Sequence, residues 1–222
     1  MSEKSQAKHT GRTIFLDRDG TINQEVHYLH RKEELILISG AASAIRLFNE
    51  NGFRVVVVTN QAGVARGYYT EKDINQLHEH LNQVLEQEGA HIDQFYYCPH
   101  HPDYGIGKYK TVCRCRKPDI GMFEAAEQDG FVDKAHSYMI GDKWLDTQAG
   151  VRFGVHPVLV ATGYGMKLYQ EYQKEKSGES SSTEDLEHPM EFFGQDLLQA
   201  AQWIIEREGI SNEADGTDRT FN

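Results

Sequence analysis

The stretch TIFLDRDGT at residues 13–21 joins a short apolar run to a polar turn that carries two carboxylates. Its first part, Ile14-Phe15-Leu16, is typical of a strand buried on both faces. Similar apolar runs recur at 55–58, 95–97, 138–140 and 158–160, and helical patterns at 41–51, 71–88 and 120–129 lie between them. This alternation predicts an α/β domain with a doubly wound, mostly parallel sheet, in which ligands bind at the carboxyl ends of the strands.

Length and composition set the domain organisation. The chain has 222 residues, of which 39% are hydrophobic, which suffices for one domain with a core. We expect a flexible N-terminus at 1–12, a single domain at 13–210 and a disordered tail at 211–222. Within the domain, the polar composition of 170–190 predicts a flexible excursion, and the pattern at 195–208 predicts a helix that packs back on the sheet.

The lengths of the apolar runs and the composition of the N-terminus indicate where in the cell the protein is expected. No aliphatic run is longer than the four residues of 55–58, whereas a membrane-spanning helix needs about 20 apolar residues. The first dozen residues lack the apolar core of a secretory signal. We therefore expect a cytoplasmic protein with no membrane partner.

The net charge is unevenly distributed. The formal charge of −11 would by itself disfavour nucleic acids, anionic membranes and phosphorylated substrates. Residues 168–222, however, hold 13 acidic and 4 basic side chains, which leaves 21 acidic and 19 basic ones for residues 1–167. The first three quarters of the chain are thus nearly neutral and compatible with a small phosphorylated ligand. We expect no nucleic-acid partner.

The end of the first strand carries candidate catalytic groups. Asp17 and Asp19 are separated by one residue at the mouth of a parallel sheet. Such a pair can act as nucleophile and general acid/base beside a divalent cation. An isolated stretch of this kind is equally compatible with an ordinary turn, because Asp and Gly are common turn residues.

Three further strand ends or helix starts favour the catalytic interpretation. The second strand ends in Thr59-Asn60-Gln61, whose hydroxyl and amides can bind phosphate oxygens, and Arg116-Lys117 places a fixed cation before the third helix. The fourth strand runs into GDKWLD at 141–146, which adds Asp142 and Asp146.

This ordered set over residues 17–146 resembles the motifs of the haloacid dehalogenase (HAD) superfamily of phosphotransferases. The resemblance implies a Rossmann-like core in which Asp17 is the nucleophile and Asp19 protonates the leaving oxygen, then activates water. It also implies that Thr59 and Lys117 hold the phosphoryl oxygens. The metal would be Mg²⁺, bound by Asp17, the Asp19 carbonyl and Asp142, with Asp146 and Lys143 as supporting residues. A cation and a preorganised cradle suit the attack of one anion on another.

All three cysteines lie close together in sequence, as Cys98-Pro99-His100-His101 and Cys113-Arg114-Cys115. An odd count in a chain expected in the cytoplasm argues against a disulfide framework. Three thiolates and one imidazole make a closed tetrahedral set suited to structural zinc. Spacing alone leaves both His100 and His101 open as the fourth ligand.

CPHHP, a long loop and CRCRKPDIGM are similar to the zinc-loop phosphatases of the HAD superfamily, above all to the D-glycero-D-manno-heptose-1,7-bisphosphate 7-phosphatase family. In that pattern the zinc ligands are Cys98, His100, Cys113 and Cys115. VVVVTNQAGVARGYYT resembles that family's substrate loop. Histidinol-phosphate phosphatases share the Cys/His pairs but join them by a shorter loop. The family position of EVHY implies sugar contacts from Glu25, Val26, His27 and Tyr28.

The spacing between motifs leaves no room for a large cap domain, so we expect a capless enzyme whose zinc loop, 98–117, covers the substrate. This loop carries five basic residues against the single Asp103: Lys108, Lys110, Arg114, Arg116 and Lys117. Arg116 and Arg66 suit a second phosphate, since an arginine fork binds bidentately. Lys108, Lys110 and Arg114 are interpreted as a solvated loop face.

We therefore expect a monomeric phosphomonoester hydrolase, dependent on Mg²⁺ and stabilised by Zn²⁺. Its small-molecule sugar bisphosphate substrate would be D-glycero-D-manno-heptose 1,7-bisphosphate, which loses its 7-phosphate in the synthesis of nucleotide-activated heptose for lipopolysaccharide core or a related glycan. One alternative is histidinol-phosphate phosphatase. Another is a catalytically inactive zinc-loop binding protein, which would require a broken catalytic set.

Overall fold

A computed structural model describes residues 11–177 and 188–210. Its centre is a six-stranded sheet in which every pairing is parallel. The strands are β1 (Thr13–Leu16), β2 (Arg54–Asn60), β3 (Gln94–Cys98), β4 (Tyr138–Gly141), β5 (His156–Val160) and β6 (Phe192–Gly194). They lie in the order β3-β2-β1-β4-β5-β6, so the chain order reverses beside β1. The predicted fold class is confirmed, and the reversal puts a binding cleft at the carboxyl end of β1.

Seven α-helices connect the strands in the described ranges. They are α1 (Ala41–Glu50), α2 (Ala62–Ala65), α3 (Glu71–Gln87), α4 (Gly121–Asp129), α5 (Trp144–Phe153), α6 (Gly165–Lys176) and α7 (Leu197–Arg207). Short 3-10 turns occupy Lys32–Glu34, Gly107–Tyr109 and Lys134–His136. None of the described helices is long and apolar enough to cross a membrane.

The sheet separates two hydrophobic cores. Along β1, Ile14 and Leu16 pack in the core that contains α1 and α7, whereas Phe15 packs with Phe123 of α4 and Phe153 of α5. Successive strand residues face opposite sides of a sheet. An uninterrupted apolar run is therefore what a strand covered on both faces requires.

The connections contain no inserted cap. Between β1 and β2 lie only loops, a 3-10 turn and α1; between β2 and α4 lie α2, α3, β3 and the loop at 98–117. All of these residues fall in the described range, and the capless prediction is confirmed.

The prediction for 170–190 was wrong at its start, because α6 continues to Lys176. Only Gly165 of this helix is buried, and Leu168, Tyr169 and Tyr172 on the same face are half-buried. Its apolar stripe is therefore narrow and lies within a polar stretch of sequence. Aromatic contacts hold it: Tyr169 stacks on Phe193 of β6, with ring centroids 3.7 Å apart. The three-residue strand β6 was also not predicted.

Other terminal predictions fared differently. The predicted C-terminal helix is present as α7 and packs with α1 in the core. Residues 1–10, 178–187 and 211–222, on which the remaining expectations of flexibility fall, lie outside the described residues.

Candidate active site

A polar cleft of about 270 Å³ opens at the carboxyl end of the sheet. β1 delivers Asp17 and β2 delivers Thr59, while the loop after β3 delivers Lys117. The cleft is lined by Asp17, Asp19, Glu25, His27, Tyr28, Thr59, Asn60, Gln61, Ala62, Tyr69, Arg116, Lys117, Lys143, Leu145 and Tyr164. Residues from distant motifs thus meet where the order of the strands reverses.

Lys117 is buried at the floor of the cleft between two carboxylates. Its Nζ lies 2.9 Å from Asp17 Oδ1 and 2.6 Å from Asp146 Oδ1. The same ammonium donates to the Val58 carbonyl at 2.6 Å. Burial opposes its charge, but Asp146 and Asp17 raise the pKa of Lys117 above its ordinary value. Lys117 therefore stays a cation that faces the proposed nucleophile.

Asp17 is held as a carboxylate. Burial alone would raise the pKa of Asp17, yet the nearby ammonium groups of Lys117 and Lys143 bring it below the ordinary value. The Lys143 Nζ lies 3.8 Å from Asp17 Oδ2. An ionised carboxylate with an accessible oxygen is the form that can attack phosphorus.

Asp142 is fixed by backbone contacts. Its Oδ2 accepts from the Tyr164 backbone N–H at 2.9 Å, and its Oδ1 accepts from Lys143 Nζ at 2.8 Å. A Cβ on Gly163 would lie 2.1 Å from Oδ2, and one on Gly20 would lie 2.3 Å away. Both glycines have positive φ, at 58° and 87°. They allow two loops to approach a carboxylate more closely than other residues permit.

The carboxylates form a candidate cation site. Oxygens of Asp17, Asp142 and Asp146 all lie within 4.8 Å of one another and all three residues are buried. Burial raises the pKa of Asp142 to about 6, despite Lys143 beside it. Carboxylate oxygens are the ligands that Mg²⁺ prefers, and a divalent cation would offset the clustered negative charge. Both oxygens of Asp146 are engaged, Oδ1 by Lys117 Nζ at 2.6 Å and Oδ2 by the Lys143 backbone N–H at 3.1 Å, whereas Asp17 lines the cleft. Asp17 therefore fits better than Asp146 as a ligand.

Asp19 lies beside the nucleophile with its carboxylate surrounded by donors. Oδ1 accepts from Arg18 Nε at 3.1 Å and from Asn23 Nδ2 at 2.9 Å. Oδ2 accepts from Arg18 Nη2 at 2.8 Å and from Gln61 Nε2 at 3.0 Å. The carboxyl group thereby has a defined orientation in the cleft wall.

Gln61 links the ends of β1 and β2. Besides Asp19, its Nε2 contacts Thr59 Oγ1 at 3.0 Å, and its Oε1 accepts from the Tyr69 hydroxyl at 2.8 Å. Asn60 contacts a different partner: its carboxamide exchanges two hydrogen bonds, at 3.0 and 3.1 Å, with the Lys117 backbone. Asn60 was predicted to bind phosphate; its contact with the Lys117 backbone, which positions the Lys117 loop, was not predicted.

The structure brings only part of the predicted substrate set to the cleft. Glu25, His27, Tyr28 and Arg116 line it, whereas Val26 and Arg66 do not. The Arg66 guanidinium lies over the Tyr104 ring, 4.5 Å from its centroid, and 5.9 Å from that of Tyr28. Arg66 thus does not line the cleft itself but contacts Tyr28, which does.

Sequence reasoning missed Tyr69 and Tyr164. Tyr164 follows β5 by four residues. The expectation that residues just after a parallel strand line the ligand site therefore also applies to Tyr164. Tyr69 lay in a quoted motif, but its link to Gln61 depends on a turn of α2 that the sequence pattern did not predict.

The second candidate metal site is the thiol cluster, formed by Cys98, His100, Cys113 and Cys115. Its sulfur atoms lie 3.2 to 3.5 Å apart, and His100 Nδ1 lies 3.3 Å from Cys115 Sγ. His101 Nδ1 instead accepts from the backbone N–H groups of Asp103 and Tyr104. Three sulfurs and one imidazole nitrogen that converge without an open position fit tetrahedral zinc.

The thiol cluster adjoins the cleft. Cys98 ends β3, and its carbonyl accepts from the Gln61 backbone N–H at 2.8 Å. Arg116, one residue after Cys115, donates to the His100 carbonyl at 3.3 Å. The fold of this loop therefore sets the position of Arg116 and Lys117.

The remaining basic residues of the loop face solvent. Lys108 and Arg114 each have side chains that are 76% exposed, and they pair with Glu71 and Glu124. Lys110 is also exposed. The interpretation of these three as a solvated face agrees with their positions.

Comparison with known proteins adds independent findings. The model of the HAD-hydrolase-like family matches residues 114–188. The D-glycero-D-manno-heptose-1,7-bisphosphate 7-phosphatase of Chlorobaculum tepidum is 42% identical over 70% of this chain and 81% of its own length. The D-glycero-beta-D-manno-heptose-1,7-bisphosphate 7-phosphatase of Haemophilus ducreyi is 44% identical over 68% of this chain and 84% of its own.

A solved structure shows the same architecture. The D,D-heptose 1,7-bisphosphate phosphatase of B. bronchiseptica, crystallised with magnesium and phosphate, superposes with a TM-score of 0.71 at 30% identity. The match covers 88% of this chain and 99% of that one.

Proposed function

Because the chain belongs to the D-glycero-D-manno-heptose-1,7-bisphosphate 7-phosphatase family of HAD-like hydrolases, we propose that it removes the 7-phosphate of heptose 1,7-bisphosphate. The observation that carries the proposal is the placement of Asp17: a carboxylate that lines the cleft, 2.9 Å from the buried Lys117 ammonium. This set is intact, which disfavours an inactive binding protein.

The residues of the cleft account for a two-step transfer. An Asp17 oxygen attacks the 7-phosphorus and the bond from phosphorus to the sugar oxygen breaks. Asp19, which enters this step in its protonated form, transfers the proton to that oxygen. In the second step Asp19 takes a proton from water, the resulting hydroxide attacks the aspartyl phosphate, and inorganic phosphate leaves with Asp17 regenerated. Lys117 and the Thr59 hydroxyl would hold phosphoryl oxygens as their charge redistributes.

Two metals fit the donor sets described above. Asp17, Asp142 and the Asp19 carbonyl would hold Mg²⁺, which neutralises the charge between the carboxylate and phosphate when bound. The thiol cluster would hold Zn²⁺ in a closed, structural role that keeps the loop at 98–117 folded. Asp146 orients Lys117 through their 2.6 Å ion pair.

Substrate selection would use the open side of the cleft. Arg116 lies at its edge, where a planar guanidinium suits the phosphate that is retained at carbon 1. Glu25, His27 and Tyr28 line the space between, which is where sugar hydroxyls would lie. We further propose a cytoplasmic monomer, because the cleft is built within one chain and the proposed substrate is a soluble metabolite.

Turnover of both anomers of heptose 1,7-bisphosphate and of histidinol phosphate in one preparation tests this function. Phosphorus NMR of the sugar product identifies which phosphate has left. We expect selective loss of the 7-phosphate, with histidinol phosphate slower by at least about tenfold in kcat/KM, since it offers no second phosphate to Arg116. Faster turnover of histidinol phosphate, or loss of the 1-phosphate, would overturn the assignment.

A further inference from the structure

A buried polar contact next to Asp19 joins two residues that do not line the cleft described above, Arg18 and His78. The Arg18 side chain is fully buried, and its Nη1 lies 3.2 Å from Nε2 of His78 in α3. Arg18 is the residue that donates twice to the Asp19 carboxylate. Arg18 thus joins Asp19 to a helix that contributes no residue to the cleft lining described above.

The chemistry of the pair fixes the role of each partner. A guanidinium nitrogen can only donate, so His78 Nε2 must be the acceptor and the imidazole proton must sit on Nδ1. Burial, reinforced by the charge of Arg18, holds the pKa of His78 well below its ordinary range. A neutral ring is the form that can accept from a neighbouring cation.

His78 is itself held rigidly. It is 4% exposed, and its ring stacks on Phe95 of β3 with centroids 4.5 Å apart and planes 16° apart. Tyr97 contacts it edge-on at 5.9 Å. Packing between α3 and the sheet therefore fixes the position of the acceptor nitrogen.

We propose that His78 is a positioning residue for the reaction: it fixes the Arg18 fork, and through that fork the orientation of the Asp19 carboxyl group. The inference rests on the proposed role of Asp19 as proton donor to the leaving oxygen. Without an acceptor at 78, a buried Arg18 N–H loses its partner. The fork then turns toward other acceptors, and two of the four donors to Asp19 lose their alignment.

Leaving-group dependence separates positioning from general structural damage. A sugar alkoxide needs a proton as it leaves, whereas p-nitrophenolate leaves without one. The kcat/KM value covers the steps up to release of the leaving group. The ratio of kcat/KM for heptose 1,7-bisphosphate to that for p-nitrophenyl phosphate does not depend on how much of the preparation is folded.

The decisive variants are His78→Phe, which keeps a stacked ring but removes the acceptor, and His78→Gln, whose amide oxygen can accept from Arg18. We expect His78→Phe to lower kcat/KM by about tenfold for the sugar substrate and by less than about twofold for the aryl ester. His78→Gln should restore most of the ratio. His80→Phe, two residues along α3, is the matched control and should leave the ratio unchanged. Should His78→Phe fail to fold, His78→Met takes its place.

The variant Asp19→Asn separates a test of Asp19 as proton donor from a test of His78 as positioning residue. A selective loss for the sugar substrate in Asp19→Asn, combined with equal losses for both substrates in His78→Phe, overturns the role of His78 alone. The role of His78 is also overturned if His78→Phe leaves the kcat/KM ratio unchanged, or if His78→Gln does not restore that ratio. Equal losses for both substrates in Asp19→Asn overturn the proposed role of Asp19 and the inference about His78 with it.

Discussion

The carboxylate cleft and the thiol cluster lie at the same end of the sheet, yet they are built in opposite ways. The cleft brings together Asp17, Lys117 and Asp142 from three separate segments of the chain. The thiol cluster takes all four groups from 98–115. The first is open to a ligand and depends on the whole sheet, whereas the second is closed and depends on one loop.

This difference assigns catalysis to the cleft and a structural role to the thiol cluster. An open site with charged groups around it can act on a substrate, while four converging protein ligands leave no position for one. The two regions are nevertheless joined, because Arg116 and Lys117 directly follow Cys115 and because Asn60 is bonded to the Lys117 backbone. Loss of the thiol cluster's structure should therefore lower activity indirectly, through displacement of Arg116 and Lys117.

The largest effect should come from Asp17→Asn. A carboxamide is a very weak nucleophile, so phosphate release should fall by at least about 10³-fold. The fold should persist, since Lys117 keeps Asp146 and the Val58 carbonyl as partners. Phosphate release and circular dichroism of the same preparation check both expectations. Asp129→Asn, an exposed change outside the cleft, is the control; substantial turnover by Asp17→Asn would remove Asp17 from its role.

Replacing the two adjacent histidines tests the closed site. We expect about one zinc per chain, lost in His100→Ala and kept in His101→Ala, because only His100 faces the thiols. Loss of zinc should lower the thermal midpoint by roughly 5–10 °C, equivalent to about 2–3 kcal/mol in a chain of this size. Elemental analysis and thermal unfolding give the two readouts. A stable, metal-free parent protein, or equal behaviour of the two variants, contradicts a structural zinc site.

The same contrast explains what could be predicted from the sequence. The thiol cluster was predictable because its groups lie in two tight pairs, although only the fold distinguishes His100 from His101. The cleft was predictable because apolar runs locate the ends of β1, β2 and β4. Its finer contacts were not, since the bond between Asn60 and Lys117 and that between Arg18 and His78 join segments 57 and 60 residues apart. No local pattern encodes such pairings.

α6 illustrates a different reason for failure. This helix buries one glycine fully and Leu168, Tyr169 and Tyr172 only in part. Its apolar stripe is narrow, and the polar composition around it predicted an excursion. Long-range aromatic stacking, with Tyr169 on Phe193, contributes to its position. Composition reports the solvation of a segment more directly than it reports the segment's secondary structure.

Gly163→Ala tests whether backbone approach fixes Asp142. The new Cβ would meet Oδ2 at 2.1 Å, and the residue has a φ of 58°. Gly209→Ala is the matched control, because its φ is 64° and a Cβ there has nothing within 4 Å. Both should lose about 1 kcal/mol of unfolding free energy to the left-handed backbone.

Gly163→Ala should lose about 1–3 kcal/mol more through the clash. It should also bind Mg²⁺ at least about fivefold more weakly, because the Asp142 carboxylate is displaced. Calorimetry with Mg²⁺ alone, without substrate, provides the readout. Equal Mg²⁺ affinity in the two glycine variants would mean that the cradle does not position Asp142.

The most selective effect should separate two arginines of the zinc loop. Arg116 lines the cleft, whereas the Arg114 side chain is 76% exposed and pairs with Glu124 at 2.6 Å. Arg116→Gln should lower kcat/KM for heptose 1,7-bisphosphate by about 10- to 100-fold, the range of a lost charge-assisted contact to phosphate. The same variant should leave heptose 7-phosphate, which lacks the retained phosphate, within about twofold of the parent.

Arg114→Gln should change both substrates by less than about twofold, since an exposed ion pair contributes little. The two variants remove the same charge from the same loop, so any long-range effect of net charge is common to both. A selective loss in Arg116→Gln therefore measures direct contact with the second phosphate. Equal losses of kcat/KM in the two variants would instead show that the loop attracts the substrate only through its overall charge. Arg116 would then not bind the second phosphate directly.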